Sequence, residues 1–146
     1  MNTTAAALAG AVTFVWLGMV LAISFLEAPL KFRAPGVTIP IGLGIGRLVF
    51  RALNLVETAL AVVVIAAVAA GGPPAGVAGL TAAVAVLLLA QLAFVRPRLN
   101  RRSDLVLAGE EAGEDRPRSR GHLAYVALEI VKVAVLIALG ISLLAA

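Results

Sequence analysis

The sequence predicts an all-α, polytopic membrane protein, a single transmembrane domain over residues 1–146 built as a four-helix bundle with both termini extracytoplasmic. Three observations predict it. The chain is 62% hydrophobic and only 14% charged, whereas a soluble domain is about half apolar and about a quarter charged. The apolar residues fall into four blocks, each long enough to cross about 30 Å of hydrocarbon. All twelve Lys and Arg residues lie in the first and third connections or at the helix ends beside them.

The charge pattern sets the expected topology. The amino-terminal tail, the second turn and the carboxy-terminal tail carry no charged side chains. The positive-inside rule then puts connections 27–43 and 96–121 in the cytoplasm. The expected location is the plasma (inner) membrane, with a multi-pass chain.

The first helix is expected over about 5–26, an apolar run with Trp16, Gly18 and Met19 in its middle. No Lys or Arg precedes it, so it lacks the basic start of a secretory signal peptide. Pro29 is expected to end it, because proline removes a backbone donor and crowds the preceding turn. The second helix is expected over about 44–70. Gly71-Gly72-Pro73-Pro74 is a tight uncharged turn, so the third helix, about 75–95, should return antiparallel to it. The polar connection that follows carries a short surface helix in its middle, about 99–111. The fourth helix is expected over about 122–144.

Composition also excludes function classes. The chain has no cysteine, which removes disulfides, thiolate metal sites and cysteine nucleophiles together. A net charge of +4 in such a chain reports topology and contact with anionic lipid, so nucleic acid is not an expected partner. No P-loop, dinucleotide fingerprint or HExxH motif is present. Neither HxxxH nor ExxH spacing occurs, so no metal site is expected.

What remains is a polar constellation at the basic ends of the helices. Arg47, Arg51 and Asn54 fall within a sector of about 60° on one helix, with Glu57 beside it. His122, Tyr125, Glu129 and Lys132 fit a sector of about 80° on the fourth helix. Glu27, Lys31, Arg33, Gln91, Arg96 and Arg98 belong to the same end. Charge inside a membrane costs about 2.5–3.5 kcal/mol on insertion scales, so the two stripes imply a shared interior site or an ion-pair network. In the network reading, Glu57 pairs with Arg51 and Glu129 with Lys132, and the outer arginines contact lipid headgroups. Ser24, Ser103, Ser119 and Ser142 lack the surroundings of a nucleophile.

Two resemblances carry further expectations. Trp16-Leu17-Gly18, Ala28-Pro29 followed by Phe32, Gly46-Arg47 with Phe50, and His122 with a polar residue seven positions on occur in that order. In this the chain resembles a family of small four-helix membrane proteins of unassigned function, with bacterial members and a human member associated with resistance to platinum drugs. The seventh position after His122 is Glu129, where that pattern has a more neutral amide. The resemblance implies fold and topology and supplies no reaction. Separately, Arg51-Ala52-Leu53-Asn54-Leu55-Val56-Glu57 looks like the RAxxNxxE signature of membrane-associated proteins in eicosanoid and glutathione metabolism. That implies a cytoplasm-facing thiol site. Here Arg51 is one residue closer to Asn54, a rotation of about 100°, and the fourth helix brings no arginine.

The expected function is therefore binding or transport of an anionic lipid headgroup or small organic anion. The expected site comprises Glu27, Lys31, Arg33, Arg47, Arg51, Asn54, Glu57, Arg98, His122, Tyr125, Glu129 and Lys132. The alternative is a membrane-embedded transferase that conjugates a low-molecular-weight thiol to a lipophilic substrate. No cofactor is expected beyond that thiol. Membrane lipid is an expected partner. A second copy of the chain is another, because Gly76, Gly79, Ala82 and Ala83 permit close helix approach.

Overall fold

The computed structural model describes residues 1–95, 101 and 120–146, with side chains described for 1–93, 101 and 123–146. All described secondary structure is helical, as the sequence predicts, and four helices are long and apolar enough to cross a membrane. The expected connection 96–121 lies outside the described residues almost entirely. So do its surface helix, Arg96, Arg98 and the side chain of His122.

Helix α1 spans Thr3–Val20. The Asn2 side chain caps it, accepting from the backbone N–H groups of Thr4 at 2.9 Å and Ala5 at 3.2 Å. Such a cap satisfies amide donors that have no partner inside the helix. The expected stop at Pro29 does not occur. The chain widens into a π-helical turn over Leu21–Glu27, with the Ala28 N–H bonding back to Ile23 O. It then continues through an α-helical turn, Ala28–Leu30, and a 3-10 turn, Lys31–Arg33, so the span reaches 31 residues. The widened turn explains the continuation. Pro29 falls in the first turn of the segment after it, a position where proline is tolerated.

Helix α2 spans Ile39–Ala70, starting earlier than the expected residue 44. The Thr38 hydroxyl caps it by accepting from Ile41 N at 3.3 Å. Pro40 stands in its first turn, a favoured place for proline rather than a break. Gly72, at φ +69°, turns the chain into α3, Ala75–Ala90. A second π-helical turn, Gln91–Val95, follows α3 directly. Helix α4 spans Arg120–Ala145.

The four helices form a closed ring in which α1 packs on α2 and α4, and α3 completes the circle. The Asn2 N–H donates to Gly71 O at 2.8 Å, tying the amino terminus to the α2–α3 turn. Gly140 on α4 leaves room for the Phe14 ring of α1, which a Cβ would approach to 2.7 Å. Thus the start of α1, the α2–α3 turn and the end of α4 share one end of the bundle. The opposite end carries Lys31, Arg33, Arg47 and Arg51.

The core is Trp16, Val20, Val64, Val68, Val84, Leu88, Leu136, Leu139 and Leu143, contributed by all four helices. The outer surface is also apolar, with Leu48, Leu55, Leu89 and Leu144 largely exposed. Hydrocarbon solvates such side chains as well as a protein core does, so this surface suits lipid and not water.

Candidate functional site

Among the described residues, seven polar side chains are buried within the helices: Thr13, Asn54, Glu57, Thr81, Gln91, Glu129 and Lys132. Thr81 bonds its own helix, its hydroxyl donating to Val77 O at 2.8 Å. Glu57, Gln91, Glu129 and Lys132 are gathered at one depth, together with the Trp16 indole. Trp16 and Glu57 each lie about 20 Å along their helices from the closed turn end, and Lys132 lies about 20 Å from Ala145. Gln91 opens the second π-helical turn at the same level.

Lys132 is the centre of the cluster. Its Nζ donates to Glu57 Oε2 at 2.7 Å and to Gln91 Oε1 at 2.7 Å, and it pairs with Glu129 Oε1. An ammonium has three protons, so three acceptors saturate it. The Trp16 indole Nε1 donates to Glu57 Oε2 at 3.0 Å. Gln91 Nε2 donates to Glu129 Oε1 at 2.7 Å, and the Ser24 hydroxyl donates to Glu129 Oε2 at 2.6 Å. Every helix therefore contributes at least one polar side chain.

Burial is nearly complete. Trp16, Glu57 and Lys132 have no exposure, and Gln91 and Glu129 have 1% each. Ser24 alone is only half-buried. Glu57 Oε1 is buried and has no hydrogen-bond partner. With both carboxylates ionised, the cluster holds two negative charges against one positive charge. An unbalanced charge in a low-dielectric interior is strongly unfavourable, so this arrangement calls for one more positive charge.

The geometry corrects the pairing expected from sequence. Glu57 pairs with Lys132 on another helix, while Arg51 on its own helix is exposed. Arg51 is therefore not part of the buried group that includes Asn54 and Glu57. The Glu129–Lys132 pair does form, across three residues of α4. Two members escaped the sequence reading of the site. The sequence marks Trp16 only as a residue in the middle of the first helix, yet a buried indole N–H needs an acceptor, and that need is the signal. Ser24 has the same signal in a weaker form, a hydroxyl inside an apolar helix.

A second group lies toward the basic end. Lys31 Nζ stands 3.9 Å from Glu27 Oε2, and 5.5 Å and 5.7 Å from the ring centres of Phe32 and Phe50. Gly46 makes the space, since a Cβ there would come within 2.6 Å of Nζ. Phe50 meets Tyr125 edge-on at 5.8 Å. Tyr125 and Asn54 are buried about one turn from Glu129 and Glu57. Arg47 is half-buried and Arg33 is exposed. Among the described residues, no three His, Asp or Glu side chains are grouped to hold a metal ion.

Fold and site together define a class: an all-α bundle of four helices, each long and apolar enough to cross a membrane, closed around a buried cluster of two carboxyl groups, a lysine, a glutamine and a tryptophan. Comparison with known proteins finds no matching family model, no matching curated protein and no matching solved structure. The functional reading accordingly rests on the chemistry of the cluster.

Proposed function

We propose that the protein is a multi-pass transport protein of the plasma (inner) membrane, with both termini outside. In this reading the Glu57–Lys132–Glu129 cluster takes up and releases a proton in step with a small organic anion. The observation that carries it is the carboxylate excess. Two buried carboxylates share one ammonium, and Glu57 Oε1 has no partner. A purely structural ion pair needs only one carboxylate. The second makes the cluster a store for one proton, which balances its charge.

A further proton would leave Lys132 as the only net charge of the cluster. That state attracts an anion. Lys31 and Arg47 at the basic end would receive a carboxylate or phosphate group first. Exposed Arg33 and Arg51 would contact anionic headgroups of the cytoplasmic leaflet. The sidedness is supported by the confinement of every Lys and Arg residue except the buried Lys132 to one end and its connections.

Trp16 provides the first test, being the only tryptophan in the chain and bonded to Glu57. Its emission should change as Glu57 gains or loses a proton, and Glu57→Gln should remove that pH response. The second test uses vesicles containing the protein, with succinate and inorganic phosphate as probes. An inward gradient of either anion should drive proton uptake in the wild type and not in Glu57→Gln or Lys132→Met. A pH-independent Trp16 signal together with no anion-driven proton movement would refute the proposal.

A further inference from the structure

A buried proton store needs a route to water, and the cluster is sealed on most sides. Toward the closed turn end it is covered by Val64, Val84, Leu136 and Leu139, none more than 1% exposed. Trp16, Glu57, Gln91, Glu129 and Lys132 are equally enclosed. Ser24 differs. It is half-buried, and its hydroxyl makes a short bond of 2.6 Å to Glu129 Oε2.

The burial pattern continues from Ser24 toward the basic end. Ile23, Ser24, Glu27, Ala28 and Lys31 are half-buried, while Leu21, Ala22, Phe25, Leu26, Pro29 and Leu30 are exposed. Ser24, Glu27 and Lys31 thus share the inward stripe of the first span. The Glu27 side chain is 35% exposed, yet its Oε2 is buried with no hydrogen-bond partner, and Lys31 Nζ lies 3.9 Å away. One carboxylate therefore faces both the outside and the interior, about one turn from the hydroxyl that touches the cluster.

The backbone supports the same place. Ser24 and Glu27 both belong to the π-helical turn Leu21–Glu27, and Gln91 opens the other π-helical turn. Such turns are rare and occur frequently at functional sites. Both of those described here occur where a polar side chain of α1 or α3 reaches the cluster.

We propose that Glu27 and Ser24 form the port through which the buried cluster exchanges its proton with the basic end of the bundle. The inference rests on the reading of the cluster as a proton store. The transfer balances. Glu27 takes a proton from water and passes it to Ser24 Oγ, while the proton of the Ser24 hydroxyl moves to Glu129 Oε2. Ser24 ends as it began, Glu27 is again a carboxylate, and Glu129 has become a carboxylic acid. Within the cluster the proton then faces Lys132 and Gln91 at Glu129, and Lys132 and Trp16 at Glu57.

The test is a pH jump on the purified full-length protein, followed by the infrared carbonyl band of protonated carboxyl groups. The cluster band is the part removed by Glu57→Gln or Glu129→Gln. In the wild type it should rise promptly after the jump to acid. In Glu27→Gln and in Ser24→Ala it should reach a similar final size but rise more slowly, on the order of 100-fold, the worth of a positioned proton donor. Glu27→Asp should recover most of the rate, which a merely structural role would not predict. A cluster band that rises equally fast in wild type, Glu27→Gln and Ser24→Ala overturns the port and leaves the proton store standing. Absence of any cluster band in the wild type overturns both.

Discussion

Replacing Glu57 by Gln separates a proton site from plain architecture. The change keeps the shape of the side chain. Glu57 Oε2 now serves two donors, Lys132 Nζ at 2.7 Å and Trp16 Nε1 at 3.0 Å, and an amide oxygen in its place can accept both. The amide NH2 would occupy the position of Oε1, which has no partner already. The remaining Glu129–Lys132 pair is balanced in charge, so no proton is required. What is lost is the charge assistance of two hydrogen bonds, about 1 kcal/mol each and so about 2 kcal/mol together. If Glu57 were instead an obligatory ion-pair member, its loss would cost about 3–5 kcal/mol. Unfolding of the purified protein by titration with a denaturing detergent, with the thermal midpoint measured alongside, resolves that difference. The expected outcome is a loss near 2 kcal/mol together with a flat Trp16 pH response. A loss above about 3 kcal/mol, or a pH response that survives the substitution, would refute the reasoning.

Other outcomes follow from the same contacts. Lys132→Met leaves two buried carboxylates facing one another, and should destabilise the neutral-pH fold by about 3–5 kcal/mol in the same detergent titration. Trp16→Phe removes the indole donor to Glu57 while keeping an aromatic ring, and should cost about 1–2 kcal/mol. Gly71→Ala would bring a Cβ within 2.7 Å of Ala5 Cβ and 3.1 Å of Ala67 O. Neither neighbour is a flexible side-chain end, so the thermal midpoint should fall by the equivalent of about 1–3 kcal/mol. Because the native chain has no cysteine, single cysteines report sidedness directly. Thr3→Cys and Gly72→Cys should react with an impermeant maleimide added outside intact cells, and Arg33→Cys should react only after permeabilisation. Labelling of Thr3→Cys from the cytoplasmic side alone would reverse the proposed topology.

Much of this molecule was legible without coordinates because the physics involved is local. Whether a block such as Ala5–Leu26 can lie in hydrocarbon depends on its own side chains and length. The Gly71-Gly72-Pro73-Pro74 turn is likewise a property of those residues, and Gly72 does take a positive φ. Helical period put Glu129 and Lys132 on one face, and they pair. Pro29 does not end the first span, because proline's effect depends on the turn before it. A widened turn at Leu21–Glu27 lets the helix continue, and no residue type marks that turn in the sequence.

The sequence by itself determined that polar residues on several helices would share an interior, since intramembrane charge must find partners. Only the tertiary structure decided which partners. Arg51 is the nearest cation to Glu57 along the chain, yet Arg51 stays exposed while the closing of the four-helix ring brings Lys132 and the Trp16 indole to Glu57. Gln91 and Ser24 reach Glu129 from two further segments that sequence separation gives no reason to connect. Helical periodicity is a rule about one segment and fixes which side chains share a face. The face that meets it is chosen by how four helices close around a common core, and that choice also left the cluster with one more carboxylate than its ammonium can balance.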